Sequence, residues 1–162
     1  MSQAADEFRR KYLDDTNGVR WPSGDAAKTD VAQTLLGLSC VGNCDYWYEF
    51  ARDFVVNPQP REPYVRAWSD VAKRDRAYRD AFSTLDDRQR DAVLRLLHHV
   101  LYGATFSTLS MLDQFPHAEV TIQFLNREDD AAVYTVRVLP GEFNLHERWH
   151  QWVREFSDAP RP

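Results

Sequence analysis

Residues 144–156 read NLHERWHQWVREF, and the large apolar residues of this stretch recur at the spacing of an α-helix. On a helical wheel with 100° per residue, they share one arc about 100° wide, which is typical of a core-facing stripe. The residues on this arc are Leu145, Trp149, Trp152, Val153 and Phe156. Asn144 and Glu147 have the spacing of a capping box, so a helix is predicted to begin here.

The segment before this helix has the period of a β-strand. In AEVTIQFLN (118–126) apolar and polar residues alternate, NREDDA (126–131) is rich in turn formers, and AVYTVRVL (132–139) alternates again. The pattern predicts an antiparallel hairpin. Its expected apolar residues are Val120, Ile122, Phe124, Tyr134, Val136 and Val138. Because an isolated hairpin is only marginally stable, the C-terminal helix is predicted to cover its apolar face.

The first 113 residues show helical periodicity between turn-rich segments. Helices are predicted at about 3–14, 26–38, 45–56 and 64–82, and a long helix, opened by Ser83 or Thr84, covers about 86–113. Asn43 is the expected N-cap of the third helix, on which Trp47, Phe50 and Phe54 share one face.

Two of these helices carry expectations about burial. On the fourth helix an inward face is predicted, and the arginines and aspartates are expected to face outward. The expected inward residues are Val65, Trp68, Val71, Ala72 and Tyr78. In the long helix, apolar residues occur on all sides from Leu96 to Leu112, which is typical of a central helix surrounded by others.

These patterns together predict an α+β fold. The expected architecture is a mainly helical body around a long central helix, followed by an antiparallel β-hairpin covered by a C-terminal amphipathic helix. A single domain over 1–162 is expected, with the helical part at about 3–113 and the hairpin plus last helix at about 118–157.

Composition and charge narrow the function. Acidic residues outnumber basic ones by 25 to 20, giving a net charge of −5, which disfavours binding to nucleic acid or to anionic membranes. The sequence has no apolar run of eighteen residues and no apolar segment in its charged N-terminus, so we expect a cytoplasmic protein. Its two cysteines, Cys40 and Cys44, are expected to be reduced and mostly buried.

The C-terminal helix also contains H-E-x-x-H, at residues 146–150. In zinc metalloproteases this spacing places two histidines on one helix face, and the glutamate activates the metal-bound water. The alternative interpretation is therefore a zinc-dependent hydrolase with His146 and His150 as ligands and Glu147 as the base. Arg148 lies between the ligands, and no third ligand follows closely, so our main interpretation assigns neither a catalytic residue nor a cofactor.

A structural zinc site is a variant of that alternative. Cys40 and Cys44, joined to His146 and His150, have the ligand types and local spacings of a two-Cys, two-His site. About a hundred residues separate the two pairs, so such a site would clamp the last helix to an early segment.

Two acidic segments are candidates for protein contacts. Tyr46, Trp47, Tyr48 and Glu49 combine aromatic and acidic side chains on one helix, and such rings are typical anchors of interfaces when exposed. The expected second contact, for a basic partner, is the acidic turn with Glu128, Asp129 and Asp130.

In general appearance, as a single acidic domain without a catalytic motif, the chain resembles bacterial polymorphic-toxin immunity proteins. The resemblance is one of class and matches no family motif residue by residue. It implies a non-enzymatic protein that binds and neutralises a toxin or effector. The second alternative, beside the hydrolase, is a small-ligand sensor or regulatory domain. Its ligand would lie against Thr105, Ser107, Thr108 and Ser110.

Overall fold

The computed structural model describes residues 2–14, 18–57, 69–114, 120–125, 132–138 and 145–159. The helices within these ranges are α1 (Gln3–Tyr12), α2 (Asp25–Val56), α3 (Asp70–Ser83), α4 (Asp87–Asp113) and α5 (Leu145–Phe156). The strands are β1 (Val120–Leu125) and β2 (Ala132–Val138).

The prediction of an α+β fold is wrong, because the described chain is mainly helical. Most of the described residues belong to the five helices, and the strands form one two-stranded ladder. β1 and β2 pair antiparallel from Val120↔Val138 to Phe124↔Tyr134, with a shift in register before Leu125.

The amphipathic stripe of α5 is confirmed, but its packing partners are helices. Leu145, Trp149, Trp152 and Phe156 are buried, and α5 contacts α1. Trp152 lies directly against Gly37 of α2, where a Cβ atom would come within 2.3 Å of the indole ring. In β1, the ring of Phe124 packs edge-on against Trp21, which precedes α2, with 5.0 Å between centroids. The predicted cover of α5 over the hairpin is therefore replaced by packing of α5 on helices.

α2 is one continuous helix of 32 residues, where the sequence analysis predicted two helices separated near Asn43. The segment contains no proline, and a glycine such as Gly42 costs a helix only about 1 kcal/mol. Val41, Cys44 and Tyr48 are buried at helical spacing across the predicted break. Burial along this face outweighs the local turn tendency of Ser39, Gly42 and Asn43.

α3 begins after Ser69, whose hydroxyl accepts a hydrogen bond of 3.2 Å from the backbone N–H of Ala72. The predicted start near residue 64, with Val65 and Trp68, lies outside the described residues. Ala72 is buried as predicted. The inward predictions for Val71 and Tyr78 are wrong, since both are exposed.

α4 begins at Asp87, within one residue of the predicted start near 86, but its cap differs from the prediction. Asp86 accepts from the backbone N–H of Gln89 at 2.8 Å, and the side chain of Gln89 accepts from the backbone N–H of Asp86 at 2.9 Å. This capping box replaces the expected cap at Ser83 or Thr84. The prediction of a central helix is wrong too, because Leu96, Val100 and Met111 are exposed.

The described residues group into two compact units. The first unit comprises Met1–Asn43 and Ala104–Asp158, and the second comprises Cys44–Gly103 and Ala159–Pro162. The core of the first unit includes Val31, Ala32, Leu109, Leu145 and Trp149, and that of the second includes Tyr48, Phe54, Val55, Ala72 and Tyr102. The expectation of a single domain is not tested by this grouping and stays a prediction.

None of the helices in the described ranges combines the length and the apolar character needed to cross a bilayer.

Candidate functional site

Three aromatic side chains of the second unit form a cluster on the outside of α2. Tyr46 is 61% exposed, Trp47 48% and Phe50 38%. The ring centroids of Tyr46 and Trp47 are 5.3 Å apart, those of Trp47 and Phe50 5.5 Å, and those of Tyr46 and Phe50 6.4 Å. We call these three residues the aromatic surface.

The opposite side of α2 explains why these rings face outward. On this side Asp45 accepts a hydrogen bond from the hydroxyl of Tyr102, and the ring of Tyr48 packs edge-on against His98. Tyr102 and His98 both belong to α4. Residues one or two positions away on a helix point in other directions, so Tyr46 and Trp47 are turned away from α4.

Tyr48 is buried, with 3% of its surface exposed, so the prediction that it binds a partner is wrong. Its ring packs beside the imidazole of His98, which stacks on Tyr102 at 4.0 Å between centroids. Burial raises the pKa of the Tyr48 phenol. Burial also lowers the pKa of His98 below its ordinary value, although the nearby carboxylate of Asp45 acts in the opposite direction. These residues hold α2 against α4 and belong to the core of the second unit.

The row of rings continues along α2 from the aromatic surface into the core. Phe50 contacts Phe54 at 5.3 Å between centroids, and Phe54 contacts Tyr78 of α3 at 6.1 Å. The guanidinium of Arg79 lies over the ring of Phe54 at 4.5 Å and donates to the carboxylate of Asp53 at 2.9 Å. α3 therefore covers the C-terminal end of this row.

Glu49, the acidic member of the predicted contact, is exposed beside the aromatic surface. Its carboxylate is 3.2 Å from the guanidinium of Arg52 on the next turn, and both side chains are about half exposed. The other predicted contact, Glu128, Asp129 and Asp130, lies outside the described residues.

The two histidines of the H-E-x-x-H motif contact Asp113 and Phe106 of α4. The Nδ1 atom of His146 lies 2.5 Å from the carboxylate of the buried Asp113, which also accepts from the backbone N–H of His146 at 2.9 Å. The ring of Phe106 contacts both His146 and His150, with centroids 5.9 and 5.3 Å apart. Asp113 thus satisfies the N-terminus of α5 from the end of α4.

The described residues do not assemble the ligands that either zinc interpretation needs. Within the ranges described, no three His, Cys, Asp or Glu side chains are grouped closely enough to hold a metal ion. Cys44 is buried with its sulfur 3.9 Å from the carbonyl oxygen of Leu101, and Cys40 is half-buried. Glu147 is exposed.

The four hydroxyl residues of the sensor interpretation do not share an enclosed position. Ser107 and Thr108 are exposed, whereas Thr105 and Ser110 are half-buried. The hydroxyl of Thr108 donates to the carbonyl of Ala104 in its own helix at 2.9 Å.

Sequence reasoning missed Phe50 and Arg79. Phe50 was predicted to share a face with Trp47 and Phe54 but was not among the predicted partner contacts, and Arg79 was among the arginines expected to face outward. A usable signal was present in the order of residues 45–54, where an acidic residue precedes an aromatic residue three times at intervals of four: Asp45-Tyr46, Glu49-Phe50 and Asp53-Phe54.

Comparison with protein-family models, with curated proteins and with solved structures found no match for this chain.

Proposed function

We propose that this protein is a protein-binding domain that engages its partner through the aromatic surface of Tyr46, Trp47 and Phe50. The observation that supports the proposal is the cluster of three partly exposed rings, in mutual contact, on one helix. Tyrosine and tryptophan are enriched among the residues that carry most of the energy of protein interfaces. Their positions on a regular helix leave little to be ordered upon binding.

The size of the surface favours a segment of another protein over a second copy of this chain. A large aromatic side chain carries about 200 Å², so three rings that are about half exposed present roughly 300 Å². A stable interface buries about 800 Å² on each partner. The aromatic surface suits an anchor site for a partner segment, with a modest total interface.

A finer proposal is that the partner is a toxin or effector which this protein neutralises in the cytoplasm. The small size, the net charge of −5 and the low cysteine content support this assignment. Co-expression with the product of a neighbouring gene tests it. A toxic neighbour whose toxicity is relieved by the wild-type protein and not by a Trp47→Ser variant would support it, and relief by both proteins would contradict it.

The wider proposal is tested by photo-crosslinking in the native cells. A photoreactive amino acid is placed at position 46 or 47, and at Met111, an exposed residue of α4, as the matched control. We expect one partner protein to be crosslinked from positions 46 and 47. This crosslink should be lost when Phe50 is changed to Ser. Equal crosslinking from all three positions would contradict the proposal.

A further inference from the structure

The acidic and aromatic residues of α2 form three successive pairs, Asp45-Tyr46, Glu49-Phe50 and Asp53-Phe54. Residues four apart on a helix lie above one another on the same face. The pairs therefore present the same combination of a carboxylate and an aromatic ring on successive turns.

The third pair shows which side chain this combination binds. Arg79 of α3 places its guanidinium 4.5 Å from the centre of the Phe54 ring and 2.9 Å from the carboxylate of Asp53. It also donates to the backbone carbonyl of Asn57 at 2.5 Å. Both charged side chains are largely buried. Within this unit, the Asp53-Phe54 pair thus binds an arginine side chain.

The second pair, one turn earlier, offers the same groups at the surface. Glu49 and Phe50 are both exposed, and the ring of Tyr46 runs nearly parallel to that of Phe50, with 18° between planes. The ring of Trp47 stands nearly perpendicular to both, at 80° and 83°. The surface around the second pair therefore carries one carboxylate and three rings, the same kinds of group that bind Arg79 on the following turn.

We propose that Glu49, Phe50, Tyr46 and Trp47 form a binding site for an arginine side chain on a segment of the partner protein. The inference rests on the proposed protein-binding function and names the chemistry of the partner. The guanidinium stacks on the exposed rings and pairs with Glu49, as Arg79 does with Phe54 and Asp53.

Arginine suits this site better than lysine. Its guanidinium is flat, stacks on aromatic faces and presents several N–H donors in one plane, whereas the lysine ammonium is compact and strongly hydrated. A cation over an aromatic ring gains additional attraction from the ring electrons. The intramolecular contact of Glu49 with Arg52 is an exposed pair, and such pairs contribute little stability, so it is easily rearranged upon binding.

The proposal is tested by NMR titration of the full chain with capped Ala-Ala-Arg-Ala-Ala peptide, against the matched lysine and citrulline peptides. The probe signal is the indole N–H of Trp47, assigned by its loss in Trp47→Phe. We expect the arginine peptide to shift this signal, with affinity about tenfold weaker for the citrulline peptide, which lacks the charge.

Two variants locate the contact. Glu49→Gln and Phe50→Leu are each expected to weaken binding of the arginine peptide about fivefold. Leu96→Ala, which removes an exposed apolar side chain from α4 of the same unit, is expected to leave it unchanged. Circular dichroism of each variant establishes that the helices are intact.

Three outcomes would overturn the proposal. The first is that the indole N–H signal of Trp47 does not shift at millimolar arginine peptide, and the second is that the citrulline peptide binds with equal affinity. The third is that this signal shifts without any peptide when Arg61 or Arg66 is changed to Gln, because an arginine of this chain would then occupy the site. If photo-crosslinking still identifies a partner at positions 46 and 47, the arginine assignment fails while the protein-binding function stands.

Discussion

Arg79 joins α3 to the end of α2 by three kinds of contact. Its guanidinium stacks on Phe54, pairs with Asp53 and donates to the carbonyl of Asn57. Sequence reasoning placed this residue on an outward face, since arginine is rarely buried. Burial is tolerated here because the charge is paired and several of its donors have acceptors.

Replacing Arg79 with Ala is expected to lower the free energy of unfolding by about 3 kcal/mol, because the largely buried carboxylate of Asp53 loses its ion pair with the guanidinium. Urea denaturation measures the loss. Arg74→Ala, an exposed change on the same helix, is the control and should alter stability by less than about 0.5 kcal/mol. Equal effects of the two changes would show that the contacts of Arg79 contribute nothing.

His98 predicts a dependence of stability on pH. Because burial lowers its pKa in the folded state, the unfolded chain binds more protons just below pH 6.5. The stability associated with neutral His98 is therefore complete above pH 6.5 and is lost as the pH falls through the lower, folded-state pKa.

Thermal unfolding between pH 5 and pH 8 checks this expectation. His98→Phe retains a ring to stack on Tyr102 and should show a weaker fall in stability toward acid than the wild type. His150→Gln, at an exposed position of α5, should retain the wild-type slope. The expectation fails if the His98→Phe and wild-type profiles are parallel.

At the scale of the elements, the contact between α5 and α2 depends on a glycine. The indole of Trp152 lies where the Cβ atom of any other residue at position 37 would be. Helix propensity alone favours alanine over glycine by about 1 kcal/mol. The tertiary contact reverses this preference, because the flat face of a buried indole cannot yield without moving α5.

Gly37→Ala is expected to destabilise the protein by about 2 kcal/mol, since Trp152 is forced from its position. Gly42→Ala and Gly103→Ala are the matched controls, because nothing lies within 4 Å of a Cβ atom at either position. Both controls should gain up to about 1 kcal/mol from helix propensity. Chemical denaturation of the three variants gives the comparison, and a stabilised Gly37→Ala would refute the packing argument.

Asp113 joins the end of α4 to the start of α5. Asp113→Ala is expected to cost about 2 kcal/mol, because the backbone N–H and Nδ1 of His146 lose a buried acceptor. Glu147→Gln, an exposed change in the same turn of α5, should be nearly silent. Thermal unfolding with and without a chelator checks both statements. A large effect of the chelator or of Glu147→Gln would instead favour the zinc interpretation.

For the whole molecule, binding and stability should be separable. Tyr46 and Trp47 are exposed, so Tyr46→Ser combined with Trp47→Ser is expected to change the free energy of unfolding by less than about 1 kcal/mol. The same double variant should lose the crosslinked partner. Calorimetry and crosslinking on one preparation test the two effects together, and a strongly destabilised variant would indicate that the rings are part of the core.

Local periodicity was sufficient for the elements whose information lies within a few turns. The position of α1 and the buried residues Leu145, Trp149, Trp152 and Phe156 of α5 follow from side-chain spacing, which needs no knowledge of the partner surface. The fold class was wrong because the same amphipathic stripe can pack against a sheet or against helices. Nothing within α5 distinguishes these surfaces.

Contacts between distant segments determined the remaining features. Whether α2 continues past Asn43, whether Arg79 is buried and whether Trp47 is exposed depend on residues far away in the chain. The missing side chain of Gly37 leaves room for the indole of Trp152. Arg79 is bound by Asp53 and Phe54, and the hydroxyl of Tyr102 donates to Asp45. Helical spacing indicates which residues share a face of a helix. The free energy of burial is gained only where that face packs against a complementary face, and the two faces are brought together only in the folded structure.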